Sequence, residues 1–183
     1  AIVRNVYENT KKLKILNFIC NVYLTVIRGT PVVVQLLIIY FVIFSSVRID
    51  KSFAAILAFG INSGAYQAEI FRSGINSVPK GQMEAGRSLG FSYPQTMINI
   101  IMPQVIKNTL PTLANEFIVL MKETSVASYI ALDDLTKAGD VIRSKTYSAM
   151  MPFLAVALLY LIMVMLFSYL VKLLERRLAR SGR

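Results

Sequence analysis

The sequence contains no histidine and one cysteine, Cys20. An internal disulfide framework is therefore excluded, and no His/Cys cluster with metal-ligand spacing can form. A thiol without a histidine to serve as its base has little chemistry available, so Cys20 reads as a small apolar filler. No other nucleophile with a base is legible, which argues against a membrane enzyme. Charge is also scarce. Asp, Glu, Lys and Arg make up 16% of the 183 residues, against 55% hydrophobic residues and a mean hydropathy of +0.57. That balance is too apolar for an ordinary soluble domain and points to a membrane chain. A phosphate-binding loop of the form GxxxxGK[ST] is missing too. Second soluble domains, low-complexity linkers and strong internal repeats are not found, so residues 1–183 read as one transmembrane domain. The opening "AIVRNVYENTKKLK" lacks the apolar core of a secretory signal. A start at Ala1 without Met suggests an upstream segment that is missing or processed.

What is present is a series of apolar runs. A helix needs about 20 mostly apolar residues to cross a hydrocarbon core of about 30 Å. Four segments approach this: Pro31 to Ser46, Phe53 to Phe71, Thr109 to Ile130, and Met151 to Val171. The first is short, and polar residues interrupt the second and third. The formal charge of +10 would fit nucleic acid if it were clustered. It is instead distributed over the connections between these runs. The N-terminal flank (Arg4, Lys11, Lys12, Lys14, Arg28), the central loop (Arg72, Lys80, Arg87, Lys107) and the tail (Lys172, Arg176, Arg177, Arg180, Arg183) hold 14 of the 20 basic residues. Because Lys and Arg accumulate on the cytoplasmic side of short loops, these three connections are expected inside. Nucleic acid is not an expected partner; the lipid membrane is.

"RGTP" (Arg28 to Pro31) breaks the chain before the first run, Gly permitting a turn and Pro fitting a first helical turn. Gly60 and Gly64 form a GxxxG pair, a spacing that lets helix backbones approach closely in lipid. The connection "DDLTKAGDVIRSKTYS" is long enough for a short helix. Between the second and third runs lies "QMEAGRSLGFSYPQTMINIIMPQ", small, polar and turn-forming. Within it "GQMEAGRSLG" predicts about three helical turns stopped by Gly90. "FSYPQ" then turns, and Pro94 begins an amphipathic piece ending at "MPQ". A passive interfacial helix would satisfy the same physics.

In this stretch Glu84, Ala85, Gly86, Gly90, Ile100, Met102 and Pro103 match the spacing of the EAA loop of bacterial ABC importer permeases, with Gly86 replacing the second Ala and Met102 the usual Leu. "RGTPVVVQLLIIYF", "GAYQAEIFRSGINSVPKGQMEAGRSLGFS", "LPTLANEFIVLMKETSVAS" and "LERRL" resemble the polar-amino-acid branch of that family. The resemblance covers nearly the whole chain. It implies an all-α polytopic membrane bundle with four visible spans, one N-terminal span missing before "RGTP", and a cytoplasmic coupling loop of residues 73–108. It also implies a multi-pass protein of the bacterial inner membrane. Its partners would be an ABC ATPase dimer, a second permease chain (identical or not) and an extracytoplasmic amino-acid-binding protein. Glu84, Ala85, Gly86, Arg87 and Gly90 would dock on the ATPase, Gly90 allowing the sharp exit. The chain itself would hold no cofactor, ATP and Mg being bound by the ATPase.

A substrate site is sought where ionisable side chains enter the bilayer, since such groups are costly there. Glu123 lies twelve residues after Pro111, about 18 Å along a helix, and Asn62 nine residues after Phe53, about 14 Å. Both fall near the midplane of the core. Tyr66 is one turn from Asn62, and Glu116 is seven residues before Glu123 on nearly the same face. Glu123, Asn62 and Tyr66 are expected to line one polar cavity, with Thr124 and Ser125 adding hydroxyls where the helix loosens and Glu116 as a way station. Buried and ionised, Glu123 would favour a cationic amino acid. The opposing possibility is that Glu123 pairs with a basic side chain and never meets substrate. Glu69 and Arg72, at i and i+3, are expected to form a structural ion pair, whereas periodicity leaves Gln35 and Tyr40 undecided between the path and the bundle. Two other functions compete: a secondary transporter or cation channel using Glu116 and Glu123, and a scaffold whose basic tail binds anionic lipid. Neither explains the EAA spacing together with the midplane polar residues.

Overall fold

The computed structural model describes residues 11–180; Arg4, Arg183 and the start at Ala1 lie outside them. Every described element is helical. In chain order they are α1 (Lys11–Gly29), α2 (Val32–Ile38, continued by a π-helical run Ile39–Ile43), α3 (Lys51–Ser77), α4 (Lys80–Ser88), α5 (Tyr93–Thr96, continued by a π-helical run Met97–Ile101), α6 (Met102–Glu123, continued as a 3-10 helix Thr124–Ile130), α7 (Leu135–Thr146) and α8 (Met150–Arg180). The bundle is built around α3, which packs on α1, α2 and α6, while α8 covers α6 and α7.

Two expectations are corrected. A helix, α1, precedes "RGTP" where only a charged flank was expected. Asn17, Asn21 and Thr25 dilute its hydropathy, so it read as a charged flank, yet Leu16, Ile19, Val22 and Val26 recur at helical spacing. The amphipathic piece from Pro94 does not end at "MPQ" but runs through a π-helical segment straight into α6. Pro103 sits at the first turn of α6, where its missing N–H costs little. The loop helix Lys80–Ser88 and the short connecting helix Leu135–Thr146 occur where the sequence places them.

Among the described residues, α8 is the single helix long and apolar enough by itself for a membrane crossing, within Met150–Arg176. Most side chains of its apolar part are exposed, as befits a helix solvated by hydrocarbon or by a partner, while Pro152 near its start is buried. Lys14–Gly29 and Val32–Ile43 meet the requirement only together, across a bend of 108°. The 27 residues of α3 are long enough but carry Asn62, Ser63, Gln67 and Glu69; α6 likewise carries Glu116, Lys122 and Glu123.

One apolar core joins Leu36 and Ile39 of α2, the small-residue face Ala54, Ala55 and Ala58 of α3 with Phe59, and Ala127 and Ile130 of the 3-10 segment. A second, at the other end, joins Val78, Met97, Ile101 and Val105. Asp50 caps α3 by accepting from the Ser52 N–H at 2.7 Å. Its bonds from Ser52, side chain first and then backbone, hold its carboxyl below the ordinary Asp range. Lys51 Nζ donates to the carbonyl of Ala131 at 3.1 Å, tying the start of α3 to the end of the 3-10 segment.

Of the GxxxG pair, Gly64 faces a neighbour: a Cβ there would stand 3.2 Å from the Tyr23 hydroxyl, whereas at Gly60 it would meet open space. The closest helix crossing is made by a glycine outside that motif. A Cβ at Gly74 would collide with Thr109 Cγ2 and lie 3.3 Å from Val105 Cγ1. Gly74→Ala is expected to destabilise the α3/α6 crossing by about 1–3 kcal/mol, the usual cost of overpacking. Adding Thr109→Ser, which removes the obstructing methyl, should recover most of it. Thermal denaturation of the detergent-solubilised protein measures both; a double variant no better than the single refutes the contact.

Candidate functional site

The loop after α3 is shaped by local chemistry. Pro79 begins α4, whose residues Met83 and Gly86 turn inward while Glu84, Ala85, Arg87, Ser88 and Leu89 are exposed. Gly90 has φ +87, in the left-handed region that suits glycine. The Phe91 N–H reaches the Gly86 carbonyl at 3.2 Å and the Gly90 N–H the Arg87 carbonyl at 3.1 Å, the pair of bonds of a Schellman stop. Two residues on, Ser92 and Gln95 form a reciprocal capping box that starts α5. Stop and start together reverse the chain within a few residues.

The reversal presses α4 onto α5. A Cβ at Gly86 would stand 2.5 Å from Thr96 Cγ2 and 3.0 Å from Ile100 Cδ1. Thr96, fully buried, donates its hydroxyl to the Ser92 carbonyl at 3.0 Å. Glycine at position 86 is therefore the condition of this packing beside Thr96, a residue that the sequence reading did not single out. A cleft of about 420 Å³ lined by Ile75, Val78, Pro79, Met83, Glu84 and Tyr93 lies at the base of α4. Among the described residues no ion pair involves Glu84 or Arg87. The outer face of α4 thus presents an acid, a base and Leu89, which is 78% exposed.

The mid-helix residues fall into two groups. On α6, Glu123 is the last α-helical residue, and Thr124 and Ser125 open the 3-10 segment, so the chain tightens there where a loosening was expected. Glu116 and Glu123 are half-buried, and among the described residues neither is in an ion pair. The Thr124 hydroxyl donates to the Met121 carbonyl at 2.7 Å. On α3, Asn62 is 3% exposed and donates from Nδ2 to Gln35 Oε1 at 3.1 Å. Tyr66 lies against Arg28, whose guanidinium carbon is 5.7 Å from the ring centroid, a cation–π distance. No direct hydrogen bond joins Glu123 to Asn62 or Tyr66 among the described residues; each α3 side chain is engaged with the α1–α2 elbow.

Gln35 is accordingly a bundle residue here, buried between α1 and α3. Glu69 and Arg72 form the expected pair, Arg72 Nε donating at 2.9 Å, and Arg28 adds a second bridge to Glu69 at 3.2 Å. Arg28 could not be placed from the sequence, because nothing in it says that the elbow folds back along α3.

The sequence matches the family described as "Binding-protein-dependent transport system inner membrane component" over residues 7–180. It is 41% identical over 167 residues to the glutamine transport system permease protein GlnP of Escherichia coli (strain K12), covering 90% of this chain and 76% of that protein. It is 37% identical over 163 residues to the arginine transport system permease protein ArtQ of Bacillus subtilis (strain 168), covering 88% and 74%. In three dimensions it resembles a chain from a crystal structure of an amino acid ABC transporter with histidines. The TM-score is 0.84 at 42% identity, over 96% of this chain and 82% of that one.

Proposed function

Because the chain belongs to the family of binding-protein-dependent transport system inner membrane components, we propose that it carries cationic amino acids through the membrane as one half of a permease pair. It is the translocation subunit of an ATP-driven amino-acid importer and not itself a catalyst; ATP is hydrolysed by a separate subunit. Its partners as a family member include that ATPase and a substrate-binding protein. The finer arrangement is the proposal: a second permease chain beside this one, identical or not, several passes through the bilayer, and ATP and Mg held wholly by the ATPase dimer.

The observation that carries the substrate class is the pair of carboxylates, Glu116 and Glu123, half-buried on one helix and free of ion pairs among the described residues. Glu123 stands where α6 passes from α-helix to 3-10 helix. Broken helices with free polar groups at depth are where transporters hold substrate. Thr124 and Ser125 follow the carboxylate directly, while Asn62 and Tyr66 of α3 support the site from the bundle side, engaged by Gln35 and Arg28. On the loop, the exposed Glu84, Ala85 and Arg87 meet the ATPase, while Gly86 and Gly90 hold α4 in the required pose.

The test is ATP-driven uptake of labelled amino acids by vesicles containing this chain, its ATPase and its binding protein. Arginine, lysine or histidine is expected to exceed glutamate and glutamine by at least about tenfold, the factor that roughly 1.4 kcal/mol of differential binding gives. Equal uptake of glutamine or glutamate would remove the cationic preference. Uptake that needs no ATP would restore the secondary-transporter alternative.

A further inference from the structure

At the α1–α2 elbow the chain turns through 108°, leaving the last carbonyls of α1 without helical partners. Pro31 brings no N–H to satisfy them. Gln35, one turn into α2 and 8% exposed, reaches back instead. Its Nε2 lies 2.7 Å from the Ile27 carbonyl, 3.1 Å from the Thr30 carbonyl and 2.8 Å from Thr30 Oγ1. Its Oε1 simultaneously accepts from Asn62, in the middle of α3, at 3.1 Å. One amide therefore closes the elbow and bolts it to α3.

Three further contacts run along the same stripe of α3. The Tyr23 hydroxyl donates to the Ile61 carbonyl at 2.6 Å, Arg28 covers Tyr66, and Arg28 bridges to Glu69. Positions 62, 66 and 69 recur at helical spacing on one face, so α1 is clasped to α3 over two turns. From Asn62 the helix continues without a break to Ser77, and only Val78 and Pro79 separate it from α4. A displacement of α4 would act on one end of a 27-residue rod whose middle is bolted to the elbow.

We infer that α1, the elbow and α3 move as a single body when α4 is displaced, and that Gln35, acting through Asn62, is the positioning residue that joins them. Gln35 touches neither substrate nor ATPase in this scheme. Replacing it with an apolar isostere leaves the Ile27 carbonyl and the Asn62 amide buried and unpartnered, which frees α3 to move without the elbow. The inference rests on the transport reading, and uptake by the unaltered complex is the control on that reading; changes relative to it address the joint alone.

Two measurements on the reconstituted full complex test it. In Gln35→Leu, ATP consumed per amino acid delivered should rise by about fivefold or more, the lower range of a coupling free energy between sites, with KM for the amino acid within about twofold. An unchanged ATP demand, or a raised KM with unchanged ATP demand, overturns the assignment. The second measurement does not depend on how that variant folds. In a Cys20→Ser background, Tyr23→Cys and Gly64→Cys are joined by a short, reducible bifunctional thiol reagent. A single body keeps transporting while tethered. Uptake lost on tethering and regained on reduction would show that α1 and α3 must separate, and would sink the proposal.

Discussion

Glu123→Gln is expected to lower ATP-driven uptake of arginine by about thirtyfold or more while leaving the ATPase bound. The magnitude follows from truncating one partner of a desolvated charge pair, which costs about 2–5 kcal/mol, largely because the other charge is left unpaired. The amide keeps the size and hydrogen-bonding reach of the carboxylate, so packing against the 3-10 segment should survive and the loss should report charge. Glu123 sits at the helix break beside Thr124 and Ser125, whereas Glu116 lies two turns nearer the loop. Glu116→Gln should therefore cost less. Initial-rate uptake in vesicles, normalised to assembled complex, measures both. Uptake indifferent to Glu123→Gln would keep the importer and discard Glu123 as the ligand.

Gly86→Leu should abolish productive docking of the ATPase, with co-purification reduced by about tenfold or more. Already at Cβ the new side chain would stand 2.5 Å from Thr96 Cγ2, so α4 must lift from α5 or the loop must refold, at about 1–3 kcal/mol or more. Displacing α4 moves Glu84, Arg87 and Leu89 together, because all three are fixed to its outer face. Gly90→Ala is the contrast. A Cβ there meets open space, and the change acts only through a φ of +87, costing about 1–2 kcal/mol without a clash. The clash account has its own control. Gly86→Ala should weaken docking, and adding Thr96→Ser, which deletes the obstructing methyl, should restore it. Full docking by Gly86→Leu would show that the α4 surface does not depend on this packing.

The loop was the most legible part of the chain, because its signals are local. Gly90 as a stop, and Pro94 with a turn before it, act within a few residues of themselves, and the Schellman bonds and the Ser92–Gln95 capping box form where that chemistry predicts. The place of Glu123 twelve residues into the helix after Pro111 was legible as well, but the change to a 3-10 segment just after it was not. Helix α1 was obscured for the opposite reason. Its asparagines and lysines make it poor in hydropathy, and what supports it is contact with α3 at Tyr23 and Arg28. The π-helical passage from α5 into α6 was hidden by Pro103, which reads as a breaker until its place in a first turn is known.

By itself the amino-acid sequence determined the class of the protein, the type of most of its helices, the turn chemistry of the loop after α3, and the carboxylates that enter the bundle. These depend on composition, periodicity and turn chemistry, all written in neighbouring residues. Only the tertiary structure decided which polar groups are free to act. Asn62 and Tyr66 share a helical face with each other, but their neighbours come from the α1–α2 elbow 27 or more residues away in the chain. Gly74 and Gly86 are needed because Thr109 and Thr96 approach them from other helices. Side-chain partnership across helices is set by crossing angles and bends, and no short-range pattern encodes those.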